Sequence, residues 1–106
     1  MNHGLLQDFG RRRARRHTVI WSAALAGLAG DSRCLVFNIS EGGACLRIDD
    51  PMRVPESTRV HIAGVGEFPA RRAWTRANRL GVTFLVAPED MRPILSEALA
   101  SPRAAP

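Results

Sequence analysis

The residues best equipped for recognition chemistry stand in Asn38-Ile39-Ser40-Glu41-Gly42-Gly43. Alternation along the preceding stretch sets Leu35, Phe37 and Ile39 on one face of a strand and Cys34, Val36, Asn38 and Ser40 on the other, because successive side chains point to opposite faces. Asn38 and Ser40 then project side by side, an amide and a hydroxyl that both donate and accept. The glycines that follow tolerate positive φ and let a ligand approach the backbone closely. Taken alone, such a pair more often satisfies the polar groups of its own turn than it binds anything.

A second group shifts that balance. Arg11-Arg12-Arg13-Ala14-Arg15-Arg16 places five arginines in six residues. A guanidinium pairs bidentately with phosphate, pairs with the O6/N7 edge of guanine, and stacks over a base plane, and a guanine nucleotide offers all three. The plainer alternative is a solvated basic arm that binds any polyanion. The whole chain leans the same way: its 15 basic residues are all arginine, they face 10 acidic residues, and the net charge is +5. An anionic partner is expected.

Other chemistries find little support. The chain has no lysine for a Schiff base and no tyrosine for proton transfer. His3 and His17 lie in or beside the basic arm, and His61 alternates outward from Val60 and Ile62, so no nucleophile is matched with an oriented base. Cys34 and Cys45 form neither a Cys-x-x-Cys pair nor a set with histidines at ligand spacing; they read as buried thiols of a cytoplasmic protein, with no metal and no cofactor. A nucleic-acid-binding barrel is the rival reading. It calls for exposed aromatic rings, whereas Phe37 and Phe84 fall on apolar faces and Trp21 and Trp74 form no paired platform, so no specific nucleic-acid partner is expected.

The elements that must position these groups follow from turn signals and periodicity. The 106 residues leave room for one domain. Residues 1–17 carry too little apolar content to pack and are expected to form a flexible arm. Turn signals at Gly30-Asp31, Glu41-Gly42-Gly43, Asp49-Asp50-Pro51, Ala63-Gly64-Val65-Gly66 and Ala77-Asn78 divide the next stretch into strands near 18–28, 32–40, 43–48, 58–63, 67–76 and 79–86. Six short antiparallel strands hide both edges by closing, so the fold class is an all-β, six-stranded antiparallel β-barrel. Met91, Ile94, Leu95, Ala98 and Leu99 then recur on one helical face, with Asp90 as the expected N-cap of a single C-terminal helix. Barrel and helix together span 18–100, and 101–106 is a tail. The longest weakly polar run, 19–30, falls short of the roughly 20 residues a membrane-spanning helix requires.

Arg12-x-x-x-Arg16, followed by Asn38-x-Ser40-x-x-Gly43, resembles the two-part signature of PilZ domains, bacterial receptors for cyclic di-GMP. The segment Ala73-Trp74-Thr75-Arg76-Ala77-Asn78-Arg79-Leu80-Gly81-Val82-Thr83-Phe84 is similar to the family's late hairpin. The resemblance implies a barrel with a C-terminal helix, and a non-catalytic receptor whose arm closes over the ligand and alters the surface offered to a downstream protein. Carried over by position, Arg12 and Arg16 would grip phosphates and guanine edges, Asn38 and Ser40 would take polar groups of the ligand, and Gly43 would keep the platform open. Arg11 and Arg13 are further candidates, and Arg11 with Arg15 fits the same spacing. The arm's charge suits a stacked pair of cyclic di-GMP molecules. Two departures stand out: Asn38 where aspartate is common, and His17-Thr18 where a proline-containing start to the first strand is frequent. A PilZ-like module that binds no ligand and acts only through protein contacts is the remaining alternative.

Overall fold

The computed structural model describes residues 15–27 and 30–101. Six antiparallel strands, β1 (His17–Gly27), β2 (Gly30–Ile39), β3 (Gly43–Arg47), β4 (Ser57–Ile62), β5 (Gly66–Arg76) and β6 (Arg79–Phe84), close into a barrel in the order β1-β2-β3-β6-β5-β4. Among the described residues one α-helix, α1 (Pro88–Ala100), follows the strands, and a short 3-10 turn at Pro51–Arg53 links β3 to β4. Each strand lies within two residues of the bounds expected from alternation and turn signals.

Period-two burial is clearest in β4, where Thr58, Val60 and Ile62 point inward while Ser57, Arg59 and His61 face solvent. Leu25, Val36, Leu46, Val60, Ile62, Ala70 and Leu80 are completely enclosed, with Phe68 and Phe84 tilted against each other at 5.8 Å. Burying each large aliphatic chain is worth roughly 1.5–3 kcal/mol, so this interior sets the stability of the scaffold. The inward hydroxyl of Thr58 donates to the Ala26 carbonyl at 2.8 Å, which joins β4 to the end of β1. That junction is narrow: β1 and β4 pair only at Ala23↔Ile62, Ala24↔His61 and Leu25↔Val60, whereas β1 and β2 pair from His17↔Ile39 to Gly27↔Gly30.

Helix α1 begins earlier than the acidic residues suggest. Ala87, not Asp90, is the N-cap, because Pro88 at the first helical position has its φ already set for the helix and no N–H to satisfy. Glu89 and Asp90 then lie in the first turn, where acidic side chains favour the helix dipole. Met91, Leu95 and Ala98 are buried against the barrel, and Ile94 and Leu99 pack beside them. Among the described residues, no helix is long and apolar enough to cross a membrane.

The ladder is irregular at three places. One extra residue enters β1 between Thr18 and Trp21, another enters β2 between Val36 and Asn38, and a third enters β5 between Arg72 and Trp74. In β2 and β5 the bulge reverses which face the following side chains take, whereas β1 keeps its alternation, with Trp21, Ala23 and Leu25 inward and Ile20 outward. The alternation expected along β2 therefore fails: Cys34, Val36 and Ile39 line the core, while Leu35 and Phe37 lie outside it.

Candidate ligand-binding site

Between the bulges runs a row of directly paired residues across the outside of the barrel: Thr18↔Asn38, Asn38↔Cys45, Cys45↔Gly81 and Gly81↔Trp74. The bulge at Phe37 keeps Asn38 outward although Val36 faces inward two residues earlier. The bulge in β5 does the same for Trp74, which is 45% exposed. At the spacing of neighbouring strands the stretch from Asn38 to Trp74 is about 14 Å long.

Arg16 reaches this row from the chain just ahead of β1. Its Nη1 donates to Asn38 Oδ1 at 3.2 Å, joining two residues 22 apart in sequence. The acceptor is a neutral amide, so the contact orients the guanidinium without neutralising it. Asn38 thus leaves an exposed positive charge above the row. Arg11, Arg12 and Arg13 lie outside the described residues, and with them most of the expected arm.

Cys45 occupies the centre of the row, covered although it is not part of the core cluster. Burial pushes its thiol pKa up, partly opposed by the positive charges of Arg79 and Arg16. Cys34 differs: it lies inside the barrel, and burial raises its thiol to about 12. Neither cysteine is in a disulfide, and among the described residues no cluster of histidine, cysteine or acidic side chains is placed to hold a metal ion.

Ser40 is only 6% exposed and is occupied by its own turn. Its Oγ accepts from the Gly42 N–H at 3.2 Å and donates to the Gly43 carbonyl at 3.4 Å, while the Ser40 and Gly43 backbones exchange hydrogen bonds across the hairpin. The hydroxyl expected to project beside Asn38 is thus engaged within the turn. Neither Gly42 nor Gly43 adopts positive φ, so the freedom that glycine offers in this respect is not used here. Gly43 has a steric reason instead: a Cβ on it would overlap the Val82 carbonyl of β6.

Two features were missed by alternation. Trp74 lays its indole over Gly81, where any Cβ would collide with the ring, so a bare backbone lets the aromatic face lie flat on the sheet. Phe37 does not pack into the apolar interior; it sits half-buried on the outside with the Arg79 guanidinium 4.8 Å above its ring. The adjacency of tryptophan and glycine in a hairpin was the available signal, but only the register brings them face to face. A third link is ionic: Arg92 of α1 holds Glu41 of the hairpin in a two-point contact, 3.0 Å from Nε to Oε2 and 3.0 Å from Nη2 to Oε1. The hydrogen bond from Arg92 holds the Glu41 carboxyl below the usual range.

The PilZ domain family pattern matches residues 10–101 of the chain. The fold is similar to the crystal structure of the PilZ domain of CeSA from a cellulose-synthesizing bacterium, with a TM-score of 0.60 and 17% identity over 81% of this chain and 96% of that one. It is similar also to Escherichia coli YcgR in complex with c-di-GMP, at a TM-score of 0.58 and 20% identity over 85% of this chain and 45% of that one. The Bacillus subtilis inhibitor of motility MotI/DgrA gives 0.59 and 19% over 88% of this chain and 54% of that one. No curated protein sequence matches the chain. At such identities the solved structures establish the fold, and the family match across nearly the full length establishes descent: the chain belongs to the PilZ domain family.

Proposed function

We propose that the chain is a cytoplasmic, non-catalytic receptor for cyclic di-GMP that binds its ligand along the row from Arg16 to Trp74. The observation that carries this reading is the Arg16–Asn38 hydrogen bond, which sets an unneutralised guanidinium over an outward amide at the start of an exposed row. A dinucleotide with two phosphates and two bases needs donors and a stacking surface spread over such a length, not one deep pocket. Arg16 supplies charge, Asn38 and the Ser40 turn supply polar groups, and the Trp74 indole supplies a ring face. Family membership and the similarity to a protein solved with c-di-GMP support the same ligand. Arg12, with Arg11 and Arg13 as further candidates, would complete the grip from the arm, closing it over the hairpin. Arg12 to Gly43 then act as one recognition unit, and closure changes the surface presented to a downstream protein. The arm's charge favours a stacked pair of ligand molecules.

Titration calorimetry with cyclic di-GMP, GTP and single-stranded DNA tests this reading. Each charge-assisted hydrogen bond lost is worth roughly 1.5–3 kcal/mol, so Arg16→Ala is expected to weaken cyclic di-GMP about tenfold to a hundredfold with the fold intact. Stoichiometry distinguishes one bound molecule from a stacked pair. Equal affinity of wild type and Arg16→Ala, or stronger binding of DNA than of cyclic di-GMP, overturns the assignment.

A further inference from the structure

Beside the row lies a groove of ≈ 490 Å³ on the outside of β1, β2 and β3. Two paired rows build it. His61, Ala24 and Arg33 lie opposite one another across β4, β1 and β2, and Ser22, Leu35 and Arg47 do so across β1, β2 and β3. Ser22, Ala24 and Leu35 give a small, mostly apolar floor; Arg33, Arg47 and His61 are exposed, with Asp49 at one end.

The charged edge does not stop at Arg47. Arg47 pairs with Arg79, and Arg79 pairs with Arg76, so three arginines stand directly opposite one another on β3, β6 and β5. Like charges in that relation are destabilising. The ion pairs Arg59–Glu67 and Arg92–Glu41 lie elsewhere, and the Phe37 ring is the contact that holds Arg79 in place. A folded domain that keeps such a ladder holds positive charge ready for something outside itself.

We infer that this groove and its arginine ladder form a docking surface for an acidic, amphipathic segment of a partner protein. Carboxylates of the segment meet Arg33, Arg47 and Arg79, and its apolar side chains cover Ala24 and Leu35. The floor decides against single-stranded nucleic acid, whose bases stack on aromatic rings and find none among Ser22, Ala24 and Leu35. The surface adjoins the dinucleotide row at Arg47 and Arg79, next to Cys45 and Gly81 along β3 and β6, while Arg33, Ala24 and Leu35 lie away from it, and the proposal does not depend on that reading.

The probe is a short fluorescein-labelled peptide of leucine, alanine and glutamate, followed by fluorescence anisotropy, with its glutamine counterpart and a single-stranded oligonucleotide alongside. The acidic peptide is expected to bind, to weaken as salt rises, and to lose about tenfold or more in affinity on Arg33→Glu and on Arg47→Glu. Arg47→Glu is also expected to raise the melting temperature, because it replaces a repulsive cross-strand pair with an attractive one. That readout separates lost docking from lost fold. Arg33→Glu is expected to leave cyclic di-GMP titration unchanged. The inference is overturned if the glutamine peptide binds as well as the acidic one, if the oligonucleotide outcompetes both, if neither reversal weakens the peptide, or if Arg33→Glu weakens the dinucleotide to the same degree.

Discussion

Replacing Gly43 by alanine forces a methyl group into space held by the Val82 carbonyl, at the point where β3 lies against β6. The obstacle is backbone, fixed by the Gly43↔Thr83 and Ala44↔Val82 register and by the Phe84 N–H that donates to the Gly42 carbonyl at 2.9 Å. No rotamer change relieves it, so two strands must part. Overpacking of this kind costs about 1–3 kcal/mol, and in a domain of this size that lowers the melting temperature by on the order of 5–20 °C. Gly42→Ala is the internal control. Its Cβ would sit 3.9 Å from Ser40 Oγ, an ordinary contact, and its φ is not positive. That substitution is expected to leave stability unchanged or to raise it by about 0.4–1 kcal/mol through the unfolded chain. Thermal unfolding followed by circular dichroism reads both variants, with cyclic di-GMP calorimetry run on each. If Gly43→Ala melts with wild type but binds ligand poorly, the glycine serves the ligand and the strand-packing argument is wrong.

Trp74→Ala is expected to weaken cyclic di-GMP by roughly 1–3 kcal/mol, the usual worth of one base stacked on one ring, with little change in melting temperature because the indole is largely outside the core. The Glu41–Arg92 contact gives a pH dependence of known sign. The folded pKa of Glu41 is below its unfolded value, so the contribution is complete above the ordinary glutamate range and is lost as pH falls through the lowered folded value. Arg92→Gln is expected to return the Glu41 titration, followed by carboxyl NMR shifts, to the ordinary range; an unmoved titration would show that the contact does not form. Trypsin is expected to cut the free protein fastest within 11–16 and to be slowed there by saturating cyclic di-GMP. Unchanged cleavage at confirmed occupancy would place the moving part elsewhere.

Strand number, strand bounds and barrel closure were legible because β4 and β6 keep strict alternation and because glycine, asparagine and aspartate mark the turns. What alternation could not carry was phase. A bulge is decided by pairing with a neighbouring strand and leaves no mark on the period of its own, so alternation puts Cys34 to Phe37 on the wrong faces, while Asn38 and Ile39, beyond the bulge, take the faces expected of them. Phe37, read as core, lies outside for the same reason. Asp90 was a sound cap by residue type, but a proline two places earlier fixes the backbone first. The tie between Glu41 and Arg92 spans 51 residues and has no local signature at all. Asn38, Ser40 and the glycine turn stand out by residue type and spacing, and the resemblance points to the same positions, while the steric role of Gly43 and the placement of Trp74 over Gly81 emerge only when β3, β5 and β6 meet β-strand to β-strand.

The short junction of β1 with β4 decides how the barrel breathes. Register pairs between the two strands run only from Ala23 to Leu25, flanked by the Ala63 N–H to Ser22 carbonyl bond and the Thr58 to Ala26 bond, so a partial opening is expected to part them there and leave β1 attached along β2. What results is a curled open sheet in the order β1, β2, β3, β6, β5, β4. The row from Thr18 to Trp74 lies entirely within its first five strands and is not interrupted. In hydrogen exchange, amides shared by β1 and β4 should therefore lose protection ahead of those shared by β3 and β6. A ligand seated on the row has no differential grip on the closed and parted forms, and its presence should leave the exchange of that junction largely as it was.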